Sequence, residues 1–192
     1  MARRVSQQDA VEWVARVARA RRGESVFIGV DGCGGAGKSS FAARLAAAVP
    51  ESVVVHIDDF AGPHIAEWDW VRFRRQLLLP LLTGRPARYQ RWDWDRDIGD
   101  EWYDVAPGRT VIVEGVSSTR LEVGAPWAVT LWVDTPPALR LERALARDGA
   151  AKRSTWLAQW LPSEQAYVAR EDPLSRVDLI VSGAAPLRRV PR

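Results

Sequence analysis

The clearest candidate for chemistry in the chain is a glycine-rich segment, GCGGAGKS, which spans residues 32–39 with the spacing GxxxxGKS. Glycines let such a loop curl so that successive N–H groups face one anion, at the amino end of the helix that follows. A lysine and a serine in this register suit the β- and γ-phosphates of a nucleotide and its magnesium ion, whereas a turn that binds nothing needs neither. The residues expected to bind the nucleotide are therefore Gly32, Gly34, Gly35, Ala36, Gly37, Lys38, Ser39 and Ser40.

Acidic side chains end two other apolar runs, VVVHIDDF with Asp58 and Asp59 and TVIVEG with Glu114. If these runs are strands beside the glycine-rich loop, a carboxylate there can accept a proton from an attacking hydroxyl or help to hold magnesium. Two adjacent acids at the end of a buried strand are costly without a nearby cation, which favours a functional role. The alternatives are that Asp58 and Asp59 cap the following turn and that Glu114 is simply solvated.

Arginine supplies 25 of the 27 basic residues, and Arg140, Arg143 and Arg147 have the spacing i, i+3, i+7 of one helix face. A row of guanidinium groups can neutralise the charge that spreads over a phosphoryl group during its transfer. A solvated basic face, with Glu142 and Asp148 nearby, is the alternative.

Short apolar runs alternate with helical patterns along the chain. Strands are predicted at residues 26–30, 52–57, 110–113, 129–133 and 177–181, and helices at 6–22, 38–49, 69–82, 137–147 and 155–170. This alternation predicts an α/β fold with a central parallel sheet of about five strands and helices on both faces. Ligands bind at the carboxyl ends of the strands in such sheets, where the glycine-rich loop and the acids lie.

Composition restricts the classes of function further. With 192 residues, 47% of them hydrophobic and 27% charged, the chain fits one globular domain over residues 1–192. No apolar run reaches the roughly 20 residues of a membrane span, so no membrane partner is expected. The single cysteine, Cys33, excludes an intrachain disulfide and fits the reducing cytoplasm. A net charge of +3 spread along the chain does not favour a nucleic-acid partner, and homo-oligomerisation is left open.

Taken in their order, six segments resemble the uridine kinase family of P-loop nucleoside kinases, in its bacterial uridine-kinase-like branch: GCGGAGKSS, IDDF, RWDWD, VIVEG, DTPPALRLERALARD and VDLIVSG. The resemblance extends over residues 26–183. It implies the three-layer sandwich of P-loop NTPases with a lid over about 143–160 and an acceptor pocket built by about 85–105. It also implies an enzyme that uses ATP or GTP with Mg²⁺ and transfers a phosphoryl group to an alcohol group of a nucleoside.

The resemblance further implies roles for single residues. Asp58 matches the base that takes the 5′-hydroxyl proton, and Asp69 matches the acid that holds the ribose hydroxyls. Magnesium would be surrounded by Ser39, Asp58 and Glu114, and the nucleobase pocket would be lined by Trp92, Asp93 and Trp94. The mobile lid would bring Arg143, Arg147 and Arg153 over the phosphates. Catalysis would accordingly depend on Asp58, Lys38 and Arg147.

Two positions depart from the pattern of that family. Ala61 follows Phe60 where the family has an aromatic residue, and Asp97 stands where animal members carry a base-contacting histidine. Both changes fall in the acceptor pocket, so phosphoryl transfer is better supported than uridine as the acceptor. The alternatives are a kinase of the same superfamily that acts on pantothenate, a sugar or a nucleoside-like antibiotic, and a nucleotide-binding protein without catalysis.

Overall fold

Apolar strands alternate with helices in the structure as they do in the sequence. The computed structural model describes residues 2–62, 68–94 and 96–184. Its strands are β1 (Arg3–Val5), β2 (Val26–Asp31), β3 (Ser52–His56), β4 (Ala87–Asp93), β5 (Ile98–Val105), β6 (Thr110–Glu114), β7 (Trp127–Asp134) and β8 (Leu179–Ser182). Six of these pair in the order β1-β8-β7-β2-β6-β3, and all the pairings are parallel. The other two, β4 and β5, form a separate antiparallel hairpin.

The helices are α1 (Gln7–Ala20), α2 (Lys38–Ala48), α3 (70–82), α4 (Pro137–Asp148), α5 (153–171) and α6 (Pro173–Arg176). α3 and α5 each contain a π-helical turn, Arg74–Leu78 and Trp156–Trp160, which ends two residues before Pro80 or Pro162. Proline lacks an N–H and clashes with the carbonyl four residues earlier, so a wider turn there keeps the helix continuous. No helix in the described part of the chain has the length and apolar character of a membrane span.

Side chains of the central strands leave the sheet on alternate faces and are buried on both. On one face, Val26 and Ile28 of β2 join α1 and α2 in one apolar cluster. On the other face, Phe27 packs with α3 and the β4–β5 hairpin, and Trp132 of β7 packs with Tyr167 of α5. The α/β class with helices on both faces of a parallel sheet, predicted from the sequence, is therefore confirmed.

The sheet has six strands rather than about five because β1 adds an edge strand beside β8. The sequence pattern misses this strand since its residues are Arg3, Arg4 and Val5, without an apolar run. Short and charged strands are typical of sheet edges, where they discourage pairing with another chain. Arg4 also contacts Asp134 at the end of β7, with 2.8 Å between Nη1 and Oδ2.

The β4–β5 hairpin forms most of the segment 85–105, in which the resemblance to the uridine kinase family implies an acceptor pocket. Tyr89 of β4 is buried and stacks on Phe60, with 5.1 Å between ring centroids, and on Tyr103 of β5, with 5.6 Å. Phe60 belongs to a 3₁₀ turn, Ile57–Phe60, that directly follows β3. The aromatic stack therefore fixes the hairpin against the carboxyl edge of the sheet.

Asp31, the last residue of β2, is fully buried, and its carboxylate accepts five hydrogen bonds. Oδ1 accepts from the N–H groups of Gly32 (2.7 Å) and Ser117 (2.9 Å). Oδ2 accepts from the N–H and hydroxyl of Thr119 (3.0 and 2.7 Å) and from the hydroxyl of Tyr167 (2.7 Å). These bonds join the glycine-rich loop, the segment after β6 and α5 to one carboxylate.

Replacing Asp31 by Asn is expected to lower the free energy of unfolding by about 3 kcal/mol, because the new amide nitrogen would face N–H donors in the interior. Urea unfolding with linear extrapolation measures this change. Asp134→Asn is the matched control, since Asp134 also ends a strand but forms a partly exposed ion pair, worth less than about 1 kcal/mol. Equal losses of stability in the two variants would contradict the role given to Asp31.

Candidate active site

The glycine-rich loop joins β2 to α2 and leaves the amino end of α2 open to an anion. Gly37 is the N-cap residue of α2 and provides no side-chain cap. Lys38 is buried and donates from Nζ to the carbonyl oxygen of Cys33 at 3.0 Å, which holds the ammonium group against the loop. Burial raises the pKa of Cys33 to about 11, so this thiol stays protonated near neutral pH. The ammonium group and the helix amino end have the chemistry of a phosphate site.

At two positions of the loop, a neighbouring helix lies so close that only glycine fits. A Cβ at Gly35, where φ is +72°, would lie 2.2 Å from the carbonyl oxygen of Arg140 in α4. A Cβ at Gly34 would lie 2.4 Å from the indole of Trp156 in α5. Only glycine permits approaches this close, so α4 and α5 pack directly onto the loop.

A cluster of polar groups ends β3 and β6 beside the loop. The register pairs His56 of β3 with Glu114 of β6, and Nδ1 of His56 lies 2.5 Å from Oε1 of Glu114. The Ser39 hydroxyl, in the first turn of α2, donates to the same oxygen at 3.0 Å. Burial raises the pKa of Glu114, but the hydrogen bond from His56 and the charge of Lys38 outweigh it, and the net pKa is lowered. Glu114 is therefore held as a carboxylate at this edge of the sheet.

Asp58 lies two residues beyond the end of β3, in the 3₁₀ turn that also contains Asp59. Its side chain reaches solvent, yet protein surrounds it on most sides, and this desolvation raises the pKa of its carboxyl. The charge of Lys38 opposes that shift, and Glu114 adds to it. A carboxylate of increased basicity within reach of solvent suits the role of a general base.

The row of arginines predicted on α4 divides in the structure. The side chain of Arg147 is 67% exposed and pairs with Asp148 at 2.6 Å. The hydrogen bond to Asp148 is the main cause that raises the pKa of Arg147, and the negative charge of Asp58 also raises it. Arg143 donates from Nη1 to the carbonyl oxygen of Gly183 at 2.8 Å. Arg140 turns instead toward α5, where it forms an ion pair with Glu164 at 3.0 Å. Arg147 thus remains the arginine of this row whose charge acts on the acidic residues of the site.

The predicted lid, residues 143–160, comprises the end of α4, the 3₁₀ turn Ala150–Lys152 and the start of α5. Arg153 begins α5 and is exposed, and none of the contacts in the described residues joins it to the loop. Trp156 is buried and donates from Nε1 to Asp148 at 2.9 Å. Trp156 therefore packs against the loop, whereas the role of this segment as a lid and the nucleotide-binding role of Arg153 stay predictions.

The residues that the sequence predicts for magnesium fit that ion. The hydroxyl of Ser39 contacts the carboxylate of Glu114, and the charge of Asp58 interacts with that of Glu114. Ser39, Asp58 and Glu114 all offer oxygen ligands, which Mg²⁺ prefers. No group of three or more His, Cys, Asp or Glu side chains within 2–62, 68–94 and 96–184 forms a metal cage. Magnesium in phosphate-transfer sites is bound through one or two carboxylates together with substrate phosphates, so a cage is not required.

Asp69 occupies the N-cap position of α3, and its Oδ1 accepts from the N–H of Arg72 at 2.8 Å. Its own N–H donates to the carbonyl oxygen of Phe60 at 2.7 Å, which brings it next to the turn that contains Asp58. Arg72 ties the two together by donating to the backbone oxygens of Asp59 (2.9 Å) and Ala61 (3.0 Å). Asp69 therefore caps α3, and it also borders the site. A role in helix capping alone is the alternative to the predicted role in ribose binding, which stays a prediction.

The three pocket residues expected on the hairpin are not in one extended segment. Trp92 is half-buried in β4 opposite Gly99 of β5. β4 ends at Asp93, which accepts from the N–H of Arg96 at 3.0 Å, so Trp94 lies in the turn and is 63% exposed. Trp92 therefore lies within the strand and Trp94 beyond its end, because the chain turns there. A role of these indoles in a base pocket stays a prediction.

Two residues of the site, His56 and Glu164, are not among those that the sequence motifs predict for it. His56 could have been recognised from the strand alignment, since it is the residue that parallel pairing sets opposite Glu114. Glu164 of α5 is buried against the loop although 130 positions separate it from Gly34. No local pattern marks Glu164, because its contact depends on how α5 packs.

Comparison with known proteins supports the fold. No protein-family model matches the chain, and no curated protein matches it. A solved structure provisionally described as a fructose transport system kinase from Silicibacter sp. TM1040 matches 92% of this chain and 98% of its own, with a TM-score of 0.74 and 22% identity.

A structure provisionally described as a uridine kinase from Bacillus stearothermophilus matches 91% and 98% of the two chains, with a TM-score of 0.69 and 18% identity. The protein YGR205w matches 92% and 94%, with a TM-score of 0.63 and 13% identity. At these identities the likeness concerns the fold. The resemblance to uridine-kinase-like P-loop kinases is thus confirmed at the level of the fold.

Proposed function

We propose that the protein is a kinase that transfers the γ-phosphoryl group of ATP, bound with Mg²⁺, to a hydroxyl group of a nucleoside. The observation that supports this most is the convergence of Lys38, Ser39, Glu114 and Asp58 at one edge of the sheet. A protein that only binds nucleotide needs the loop and the lysine. It does not need, beside the loop and the lysine, a carboxylate such as Asp58 whose pKa is raised.

Each residue of this group has a distinct task in the proposed reaction. Lys38 and the N–H groups at the amino end of α2 bind the phosphates. Ser39 and Glu114 would hold magnesium, which supplies charge neutralisation between the phosphates when bound. Asp58 accepts the proton of the acceptor hydroxyl, and Arg147 stabilises negative charge that develops on the phosphoryl group.

A nucleoside is the proposed acceptor because of Asp69 and Trp92. Oδ1 of Asp69 caps α3, and the second carboxylate oxygen can accept from a ribose hydroxyl next to the turn that contains Asp58. Trp92 is half-buried on the adjacent hairpin and offers a flat surface for a base. Sugars, pantothenate and nucleoside-like antibiotics are the other acceptors that the site's chemistry admits.

The deciding experiment measures acceptor-dependent ADP release with ATP or GTP and Mg²⁺ against nucleosides, sugars, pantothenate and nucleoside antibiotics, with the phosphorylated product identified by mass. Product with uridine or cytidine supports the full proposal. Product with another alcohol keeps the kinase and replaces the acceptor. Absence of any product above the acceptor-free rate would contradict the proposed function.

Lys38→Ala is expected to abolish turnover and to weaken ATP binding, because Lys38 is the cation placed to meet the β- and γ-phosphates. Calorimetric titration with ATP and the ADP-release assay measure the two effects. Arg19→Ala removes an exposed cation at the end of α1 and is the control for net charge. Near-normal activity of a folded Lys38→Ala protein would rule out the nucleotide site.

Asp58→Asn is expected to lower kcat by roughly 10²-fold or more while the fold and ATP binding persist, since the amide keeps the shape but cannot take a proton. Asp59→Asn is the matched control, because Asp59 is the adjacent acid of the same turn and is half-buried. Steady-state kinetics of both variants test the assignment. If Asp59→Asn reduced kcat and Asp58→Asn did not, the base would be Asp59.

Asp69→Asn is expected to raise the KM for the acceptor and to leave the KM for ATP and the stability nearly unchanged. Asn caps a helix about as well as Asp, but its neutral amide is a weaker hydrogen-bond acceptor for a ribose hydroxyl than a carboxylate is. The variant should also lose any preference for ribonucleosides over 2′-deoxyribonucleosides. Unaltered acceptor kinetics would assign Asp69 to helix capping alone.

A further inference from the structure

Glu164 is a buried glutamate of α5 whose two carboxylate oxygens contact two different parts of the site. Oε1 accepts from the N–H of Gly34 in the glycine-rich loop at 2.7 Å. Oε2 accepts from Nη1 of Arg140 in α4 at 3.0 Å. Glu164 is 5% exposed and the Arg140 side chain 13%, so the ion pair lies almost wholly inside the protein.

A buried ion pair of this kind contributes little net stability, since desolvation offsets most of the attraction between the charges. The pair does fix geometry, because separating the two side chains would leave each charge buried without a partner, which is strongly unfavourable. Here the pair also includes a loop N–H group, and a Cβ at Gly34 would lie 2.7 Å from Oε1. The position of the loop is thus set from the α5 side.

The Arg140 end of the pair determines where α4 lies. The carbonyl oxygen of Arg140 covers Gly35, where a Cβ would lie 2.2 Å away. The same helix carries Arg143 and Arg147, which follow Arg140 by one and two turns. A shift of α4 relative to the loop would therefore move Arg147 relative to Lys38.

We propose that Glu164 is a positioning residue that sets α4 against the glycine-rich loop so that Lys38 and Arg147 act on the same phosphoryl group. This inference rests on the proposed function and extends it to a residue that touches neither nucleotide nor acceptor. Tyr167, one turn along α5, forms a separate contact of the same helix by donating to Asp31 at 2.7 Å.

The test compares Glu164→Gln, Arg140→Gln and the double variant in steady-state kinetics and in unfolding. Gln at 164 can still accept from Gly34 but cannot neutralise Arg140. Each single variant is expected to lower kcat by roughly 10- to 100-fold, with the KM for the acceptor unchanged, as misplaced catalytic groups do. The double variant leaves no unpaired buried charge but still lacks the pair, so its kcat is expected to be about as low as that of the single variants, because the two residues act as one unit.

Two controls separate positioning from stability. Tyr167→Phe removes the hydrogen bonds of the Tyr167 hydroxyl to Asp31 and Arg176 but no contact to Gly34 or Arg140, and it should lower stability with a smaller effect on kcat. Glu142→Gln changes an exposed glutamate of α4 and should retain the wild-type kinetics. A double variant with wild-type kcat, or a Tyr167→Phe variant that loses as much kcat as Glu164→Gln, would overturn the proposal.

Nucleotide titration distinguishes failure of this inference from failure of the proposed function. If the wild-type protein binds ATP but phosphorylates no acceptor, the proposed function is contradicted and the ratio of ATP to ADP affinity decides the inference. Glu164→Gln should then reduce that ratio, since misaligned Lys38 and Arg147 lose contacts to the terminal phosphate. An unchanged ratio, or an active wild-type protein whose Glu164→Gln variant is equally active, overturns it.

Discussion

One buried carboxylate, that of Asp31, controls how the parts of the site meet. A carboxylate with no solvent access is tolerated only when donors satisfy its oxygens, and here those donors belong to separate segments. The loop entry, the segment after β6 and α5 must therefore all be in place together. Because Glu114 immediately precedes that segment and Glu164 lies on α5, the same constraint sets the surroundings of the phosphate site.

The two acids of the site differ in electrostatics because their partners differ. Glu114 faces His56, Ser39 and Lys38, and these groups lower its pKa despite burial. At Asp58 the desolvation by the surrounding protein outweighs the positive charge of Lys38, and the pKa of its carboxyl is raised. Two carboxylates whose environments move their pKa values apart are typical of sites in which one remains charged and the other exchanges a proton.

Sequence predicts the parts of this molecule that depend on local pattern. The GKS register, the strand ends with Asp58 and Glu114, and the alternation of strands and helices are all local, and the structure has these elements within a few residues of the predicted bounds. The edge strand β1 has no apolar run, and the turn at Trp94 follows from hairpin pairing. The division of the arginine row was not predictable, since the partner of Arg140 is Glu164 on another helix. Contacts between distant segments carry no signature in a single sequence.

The π-helical turn of α5 explains how two residues eight positions apart can both touch Gly34. In a regular α-helix each residue advances about 100°, so Trp156 and Glu164 would point about 80° apart. The wider turn Trp156–Trp160 removes much of that rotation, and both side chains reach the space beside Gly34. Pro162, which favours this turn, thus helps to determine which side chains of α5 face the glycine-rich loop.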